Sequence, residues 1–168
     1  MSMKHALDRL DVKILAALQR EGRITKLALS QDVGLSPSAC LERMKRLEDA
    51  GLVRGYMAEL NPSRIARSAT VFTEITLSRH GAADFQFFET RIQSIPEIVE
   101  CHATGGGIDY ILKLICRDIQ HYQQLIDSLL EAEIGIGRYF TYVVTKPVKR
   151  YTGLPLDSLL AGDPHLEQ

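Results

Sequence analysis

Hydrophobic residues recur at helical spacing through the first third of the chain. The first stripe predicts a helix that begins after Asp8 and ends before Gly22, and its members are Leu7, Leu10, Ile14 and Leu18. A second helix is predicted between Thr25, a candidate N-cap, and Gly34, with Leu29 and Val33 facing its neighbours. The pattern therefore indicates short helices joined by tight turns.

A third helix opens at Ser36-Pro37 and closes at Gly51. The hydroxyl of Ser36 can accept a free N–H of the first turn, and Pro37 suits the first helical position, where no donor is needed. Gly51 can adopt the left-handed conformation that ends a helix. One buried stripe is predicted along this helix, formed by Cys40, Met44 and Leu47.

The second and third helices together are typical of a helix-turn-helix, which places its second helix in the major groove of DNA. Residues near the start of that helix could reach base edges, and later ones could reach phosphates. The candidate DNA-binding residues are Ser36, Ser38, Ala39, Glu42, Arg43, Lys45 and Arg46. The alternative is an ordinary amphipathic helix with a solvated charged face.

The segment from Leu52 to Leu60 is predicted to form a two-stranded wing, which would complete a winged helix-turn-helix. Arg54 in this segment is a further candidate for DNA contact. The alternative for Arg54 is a solvated strand residue.

The hydrophobic rhythm changes after Asn61-Pro62, since strand alternation replaces the helical stripe. The predicted order of elements from Ala69 onward is β-α-β-β-α-β, the ferredoxin-like arrangement of four antiparallel strands with both helices on one face. The fold class is therefore α+β. We expect a DNA-binding domain over residues 1–62, a linker over 63–68, an effector-binding and oligomerisation domain over 69–146 and a tail over 147–168.

The sheet face opposite the two helices has no predicted cover within the chain. Apolar residues fall on both alternating sets of the strands, so this face carries side chains such as Phe72, Ile111 or Tyr142, depending on register. A second copy of the chain is the simplest way to bury them, which predicts a dimer or a larger assembly. A solvated sheet face is the alternative.

The segment from Thr104 to Tyr110 contains three consecutive glycines followed by Asp109. Glycines leave backbone N–H groups free to bind an anion such as a carboxylate, and Asp109 could pair with an ammonium group. These are the two groups that an amino-acid ligand presents. The alternative is an ordinary turn between strands.

Composition and charge limit the class of protein. The 168 residues are 45% hydrophobic and 24% charged, which is typical of a soluble globular protein. The sequence shows no apolar run long enough to cross a bilayer and does not open with a secretory signal pattern, so we expect neither a membrane protein nor an exported one. The three cysteines lack metal or disulfide spacing, so we expect a reducing cytoplasm, no metal and no cofactor. Net charge is −1, so DNA binding would depend on local placement of Arg and Lys and on more than one DNA-reading head.

Cys101, His102 and His121 are the residues that could suggest a metal site or a nucleophile of an enzyme. Cys101 and His102 are adjacent and face opposite sides of a strand, and no spacing of nucleophile and base or phosphate loop is visible. We therefore predict no catalytic residue. The rival hypotheses are a small enzyme and a metabolite-sensing interaction module, both without DNA binding.

The chain resembles the leucine-responsive and asparagine-regulator (Lrp/AsnC) family of transcription regulators from Leu7 to about Lys149. The segments that carry the resemblance are LDRLDVKILAALQREGRI, LSQDVGLSPSACLERMKRLEDAGLVRGY, VFTEITL, IVECHATGG, DYILKL and TYVV. The leucine-responsive branch is the most similar. Two positions differ: Gly107 stands where many relatives carry an acidic residue, and Phe140 where that branch has a charged one.

The resemblance implies a sequence-specific regulator of amino-acid or related metabolism that binds and bends promoter DNA. It also implies dimers that assemble further, commonly into octamers, and a small effector, usually an amino acid. Carried over by position, the effector-binding candidates are Thr104, Gly105, Gly106, Asp109, Tyr110, Tyr142 and Val143. The tail after Lys146 departs from the family; it is expected either to be disordered or to dock its LPLDSLL portion on a neighbouring subunit.

Overall fold

The computed structural model describes residues 7–162, which form two compact units. The first consists of residues 7–59 together with 149–162, and the second is Leu60–Val148. The division falls close to the predicted end of the first domain at residue 62. The described tail from Lys149 onward belongs to the first unit.

The helices of the first unit form where the hydrophobic stripes predict them. They are α1 (Arg9–Arg20), α2 (Lys26–Val33) and α3 (Pro37–Asp49). The predicted N-caps are confirmed, because Asp8, Thr25 and Ser36 each accept a backbone N–H of their own first turn. The buried core between the helices consists of Ile14, Ala17, Leu29, Val33, Cys40 and Leu47.

The predicted two-stranded wing is not formed. Within the described residues, no strand occurs between Leu52 and Leu60. Val53 packs against the first core, but residues 54–60 are exposed, and Met57 is 96% exposed. An isolated two-stranded ribbon is marginally stable unless one face is buried, and almost nothing here buries it. The predicted linker contains a short helix, α4 (Pro62–Ile65).

The second unit has the predicted β-α-β-β-α-β order. Its elements are β1 (Ala69–Leu77), α5 (Ala82–Ile92), β2 (Ile98–Ala103), β3 (Tyr110–Cys116), α6 (Ile119–Glu131) and β4 (Ile136–Val143). The strands pair antiparallel in the order β2-β3-β1-β4, so the ferredoxin-like prediction is confirmed.

Strand alternation in β1 separates two faces of the sheet. Val71, Thr73, Ile75 and Leu77 are buried in the core that includes residues of α5 and α6. Thr73 is a buried polar residue whose hydroxyl lies 3.0 Å from the hydroxyl of Tyr122 on α6. The opposite face, which we call the open sheet face, carries the exposed aromatic residues Phe72, Phe140 and Tyr142.

The described tail packs in the first unit and ends in a short helix, α7 (Leu156–Leu159). The backbone N–H of Leu154 donates to Oε1 of Gln19 at 2.6 Å, and Nε2 of Gln19 donates to the carbonyl of Leu154 at 3.3 Å. The contact of Leu154 and the helix α7 are the ordered features of the described tail; whether the rest of the tail is disordered stays a prediction. Leu154, the first residue of the LPLDSLL portion, therefore contacts helix α1 of its own chain, and residues 163–168 fall outside the described part.

Candidate DNA-reading helix and effector loop

The N-terminal turn of α3 is held by serine hydroxyls. Oγ of Ser36 accepts the backbone N–H of Ala39 at 3.3 Å and lies 3.2 Å from Oγ of Ser38. Ser36 and Ser38 are exposed, whereas Ala39 is half-buried. The two hydroxyls and the positive end of the helix dipole therefore face solvent together, a suitable arrangement for an anion or a base edge.

Further along α3, Glu42 and Lys45 are exposed and continue the face that begins at Ser38, since residues at i, i+4 and i+7 share one side of a helix. Arg54 is also exposed in the segment that follows α3. These residues are exposed, as a contact with DNA would require, and their contact with DNA stays a prediction. Their charges are mixed, so α3 does not present a uniformly basic surface.

Arg43 points toward α1 rather than outward. Its Nη1 donates to Oδ2 of Asp8 at 2.6 Å and to Oδ1 of Asp11 at 2.8 Å. Its side chain is only 26% exposed. This differs from the expectation that Arg43 is free to reach DNA, because two carboxylates at the start of α1 attract the guanidinium inward.

Arg46 shares the same carboxylate but remains exposed. Its Nη2 lies 2.7 Å from Oδ1 and 2.6 Å from Oδ2 of Asp11. The Arg46 side chain is 59% exposed, whereas that of Asp11 is 1% exposed. A buried carboxylate is stable only when it is paired, and here two arginines of α3 supply the pairing.

The same two carboxylates cap α1. Oδ1 of Asp8 accepts the N–H of Asp11 at 2.8 Å, and Oδ2 of Asp11 accepts the N–H of Asp8 at 3.2 Å. Burial alone would raise the pKa of Asp8, but the N–H of Asp11 and the guanidinium of Arg43 outweigh it and lower that pKa. The hydrogen bond to Asp8 is the main reason that the pKa of Arg43 is raised.

Sequence reasoning identified Asp8 as a cap and did not identify Asp11. The three-residue spacing of two acids at the start of a helix is a signal of reciprocal capping that could have found it. The pairing of Asp11 with Arg43 and Arg46 spans more than thirty residues and has no local signal.

A shallow groove of about 320 Å³ lies on the first unit and is lined by Leu18, Gly22, Ile24, Lys26, Leu41, Met44, Glu48 and Tyr56. The hydroxyl of Tyr56 donates to Oε1 of Glu48 at 2.8 Å. Burial, together with that hydrogen bond, raises the pKa of Tyr56 to about 12. The predicted effector residues belong to the second unit and do not line this groove.

The glycine loop, residues 104–109, joins β2 to β3. The N–H of Thr104 donates to the carbonyl of Asp109 at 2.8 Å, and Oγ1 of Thr104 donates to the carbonyl of Ile108 at 2.9 Å. Gly106 has φ of 132°, which only glycine adopts readily. Gly105, Gly106 and Gly107 are exposed, and their N–H groups donate no hydrogen bond within residues 7–162.

Asp109 is engaged by its own chain. Its Oδ2 accepts the N–H of Leu77 at 2.7 Å and lies 3.0 Å from Nε2 of His80. Its side chain is 17% exposed, and Oδ1 makes no hydrogen bond to the residues described. One oxygen of the carboxylate therefore anchors the glycine loop to the end of β1, and the other has no hydrogen-bond partner among the described residues.

The remaining effector candidates do not share a surface with the loop. Tyr110 is 2% exposed; its ring packs 4.6 Å from that of Phe88, and its hydroxyl donates to Glu89 at 2.9 Å. Burial is the main reason that the pKa of Tyr110 is raised. Direct contact between an effector and this side chain, as the sequence predicted, is contradicted, because strand alternation turns Tyr110 into the helix-covered core.

Tyr142 and Val143 follow one another on β4 and therefore face opposite sides of the sheet. Tyr142 pairs with Phe72 on the open sheet face, and Val143 pairs with Val71 on the other face. Burial, followed by a hydrogen bond to Glu74, raises the pKa of Tyr142. Within one chain, the structure does not bring these two residues and the glycine loop into one pocket.

Cys101, His102 and His121 do not form a common site. Cys101 packs against the second core, whereas His102 is exposed with Nε2 at 3.5 Å from Glu100. His121 lies beside Glu97 on another part of the unit. Among residues 7–162, no group of three or more acidic, histidine or cysteine side chains could hold a metal ion. No helix in that range has the length and apolar character to cross a membrane.

Family models match both parts of the chain. Residues 7–54 match a winged helix-turn-helix DNA-binding domain, and residues 70–154 match the Lrp/AsnC ligand binding domain. Both are domains of transcription regulators and not of enzymes.

Similar proteins span the same length. The transcriptional regulatory protein DoeX of Halomonas elongata is 49% identical over 144 residues, which cover 86% of this chain and 91% of that protein. The leucine-responsive regulatory protein of Escherichia coli K12 is 45% identical over 144 residues, 86% of this chain and 88% of that protein.

Solved structures agree with this fold. A transcriptional regulator of Neisseria meningitidis, crystallised as a complex with L-methionine, has a TM-score of 0.85 at 36% identity and covers 92% of this chain and 99% of that one. An AsnC family regulator of Agrobacterium tumefaciens has a TM-score of 0.85 at 32% identity and covers 92% of this chain and 100% of that one. The helix-turn-helix, the ferredoxin-like unit and these matches together place the chain in the Lrp/AsnC family of DNA-binding transcription regulators.

Proposed function

We propose that this regulator reads promoter DNA with the exposed face of α3. Ser36, Ser38 and Ala39 stand at the N-terminus of the helix, which is the end that approaches base edges in helix-turn-helix proteins. Glu42 and Lys45 continue the same face, and Arg46 and Arg54 are exposed cations suited to phosphates. The observation that carries this proposal is the outward polar face of a capped helix, which the carboxylates of Asp8 and Asp11 at the start of α1 hold in place.

More than one α3 per assembly is needed for tight binding. Net charge is −1, so the long-range field attracts DNA only weakly, and a single head offers few cations. Two linked heads bind with a high effective concentration for the second contact. We therefore propose that the DNA-binding species is a dimer or a larger assembly such as an octamer.

The open sheet face supports dimer formation. Phe72 and Tyr142 are paired across β1 and β4, and Phe140 lies two residues from Tyr142 on the same face. Three exposed aromatic residues in one patch are typical of a protein interface. Lys113 lies on the same face, where its charge is already paired with Glu100 of its own chain at 2.6 Å.

A small effector of the amino-acid class is proposed to bind at the glycine loop. The free N–H groups of Gly105–Gly107 suit a carboxylate, and Oδ1 of Asp109 suits an ammonium group. The names of the relatives support this ligand class, since one is leucine-responsive and another was crystallised with methionine. Tyr142 and Val143 could contribute only through a neighbouring copy, and Thr104 and Tyr110 support the loop from within.

The effector would act by linkage. A ligand that binds one assembly geometry more tightly shifts the population toward it and changes the spacing of the DNA-reading heads. A differential affinity of about 1–3 kcal/mol is enough for a useful switch. We propose the cytoplasm as the site of action, where the DNA is and where the free cysteines stay reduced.

Mobility-shift titration of the protein on the DNA upstream of its own coding sequence tests DNA reading. Ser38→Ala and Lys45→Ala are expected to weaken binding to this fragment, whereas Lys13→Ala on the exposed side of α1 is the matched control. Thermal-shift screening of the twenty amino acids, followed by titration of any that bind, tests the effector. A wild-type protein that binds no genomic fragment at low ionic strength would overturn the proposal.

A further inference from the structure

We propose that Asp11 is a positioning residue for DNA reading that gives two neighbouring arginines different tasks. Arg43 braces α3 against α1, and Arg46 is held ready to contact a DNA phosphate. The inference rests on the proposed use of α3 to read DNA. It assigns roles to charged residues that the sequence alone presents as equivalent cations on one helix.

The geometry around Asp11 carries the first half of the proposal. Asp11 is 1% exposed, yet both of its carboxylate oxygens are engaged, with Arg43 at 2.8 Å and with Arg46 at 2.6 and 2.7 Å. Asp8 adds a second carboxylate to Arg43 at 2.6 Å. A buried carboxylate held by two charged donors has one low-energy arrangement, so it fixes the rotation and the height of α3 relative to α1.

The two arginines differ in exposure, and this difference supports a phosphate contact for Arg46 but not for Arg43. Arg43 is 26% exposed and faces two carboxylates, so its charge is neutralised before DNA arrives. Arg46 is 59% exposed, and its ion pairs in the described structure use only Nη2. Guanidinium groups carry five N–H donors, so Nη1 and Nε of Arg46 remain for a phosphate.

Orientation by Asp11 also lowers the cost of that contact. A free arginine loses rotamer freedom when it binds a phosphate. Arg46 loses less, because its Nη2 is already held by Asp11. For non-specific DNA the negative charge of Asp11 is unfavourable, because it reduces the general attraction of the protein to the phosphate backbone. Removing the charge should therefore weaken specific binding without weakening unspecific binding, which a simple loss of folded protein cannot do.

The first experiment uses the full chain with Asp11→Asn, which keeps the shape and removes the charge. The matched control is Asp32→Asn, which removes one charge from an exposed pair with Arg20 in the same unit. Affinity is measured by fluorescence anisotropy on the upstream operator fragment and on a scrambled duplex. We expect Asp11→Asn to lower the affinity for the operator at least tenfold, with the affinity for the scrambled duplex unchanged or raised. Asp32→Asn should change the ratio of operator affinity to scrambled-duplex affinity less than twofold.

The second experiment does not depend on the folding of the Asp11 variant. Operator affinity is measured against salt concentration for Arg43→Gln and Arg46→Gln. Each phosphate contact contributes about 0.9 to the slope of log affinity against log salt. We expect Arg46→Gln to reduce the slope by about 1 and Arg43→Gln to lower affinity at an unchanged slope.

Equal slope losses for the two arginines would overturn the division of tasks. If Asp11→Asn lost affinity for both duplexes by the same factor, the positioning role of Asp11 would be overturned. A wild-type protein that fails on the operator and on the scrambled duplex alike would instead overturn DNA reading itself, so the two failures are distinguishable.

Discussion

Asp109 accepts the backbone N–H of Leu77 through Oδ2 at 2.7 Å. This contact joins the glycine loop to the last residue of β1, and the N–H of Asp109 also donates to the carbonyl of Ile75 at 2.9 Å. The residue that the sequence singled out for an effector ammonium group is therefore also a structural anchor. The two roles use different oxygens and can be separated by substitution.

Asp109→Ala removes both roles, whereas Asp109→Asn removes only the charge. The alanine variant leaves the Leu77 N–H without its acceptor, so we expect the free energy of unfolding to fall by about 1–3 kcal/mol. The asparagine variant keeps an acceptor oxygen and should stay within about 1 kcal/mol of wild type. Chemical denaturation measures both.

Both Asp109 variants should retain DNA binding and lose the response to the effector, because neither can pair with an ammonium group. The response is measured as the effector-induced shift in operator affinity. A full response in Asp109→Asn would remove the Asp109 charge from the effector site, whatever the result for stability.

Phe140→Lys should weaken the proposed dimer. Phe140 is 48% exposed on the open sheet face, and a buried positive charge at an interface centre is costly. Phe87→Lys is a close control, since Phe87 is 49% exposed on α5 and, like Phe140, has an arginine over its ring. We expect the dimer dissociation constant to rise at least tenfold for Phe140→Lys only, as measured by analytical ultracentrifugation. Equal effects of the two variants would exclude the open sheet face as the interface.

Gln19→Ala should release the tail from α1. The Gln19 amide makes two hydrogen bonds to the backbone of Leu154, and each exposed bond of this kind contributes about 0.5–1.5 kcal/mol. We expect the Leu154 amide to exchange its hydrogen several-fold faster, with the amides of β1 unaffected. Gln31→Ala on the exposed side of α2 is the control. Unchanged exchange at Leu154 would show that other contacts hold the tail.

The first unit should lose stability in acid through Asp8. Its pKa in the folded state is lowered, since the N–H of Asp11 and Arg43 outweigh the opposing effect of burial. The stabilising contribution is therefore full above the unfolded pKa of about 3.9 and is lost as pH falls through the lower folded value. Hydrogen exchange of α1 amides between about pH 5 and pH 2.5 measures this loss.

Asp8→Asn should flatten the acid dependence of α1, because the group no longer titrates. Asp32→Asn should leave the dependence in place. An unchanged acid profile in Asp8→Asn would assign the loss to another carboxylate of the first unit.

Much of the secondary structure was readable from the sequence because its causes are local. Caps depend on residues three positions away, as at Asp8, Thr25 and Ser36, and stripes depend on the period of the element. The four-strand order followed from alternation and turn signals. The prediction of a two-stranded wing was wrong because the stability of such a ribbon depends on burial of one face. Whether a face is buried cannot be predicted from the residues of Leu52–Leu60 themselves.

The sequence by itself determined the helix-turn-helix, the ferredoxin-like order and the family, since these follow from local periodicity and short motifs. Tertiary structure alone decided what the charged and aromatic side chains do. It turned Arg43 inward to Asp8 and Asp11, left Arg46 exposed, and buried Tyr110 in the core. The physical reason is that an ion pair or a buried ring depends on partners from distant positions in the chain. Contacts between such positions cannot be predicted from the spacing of the residues in the sequence.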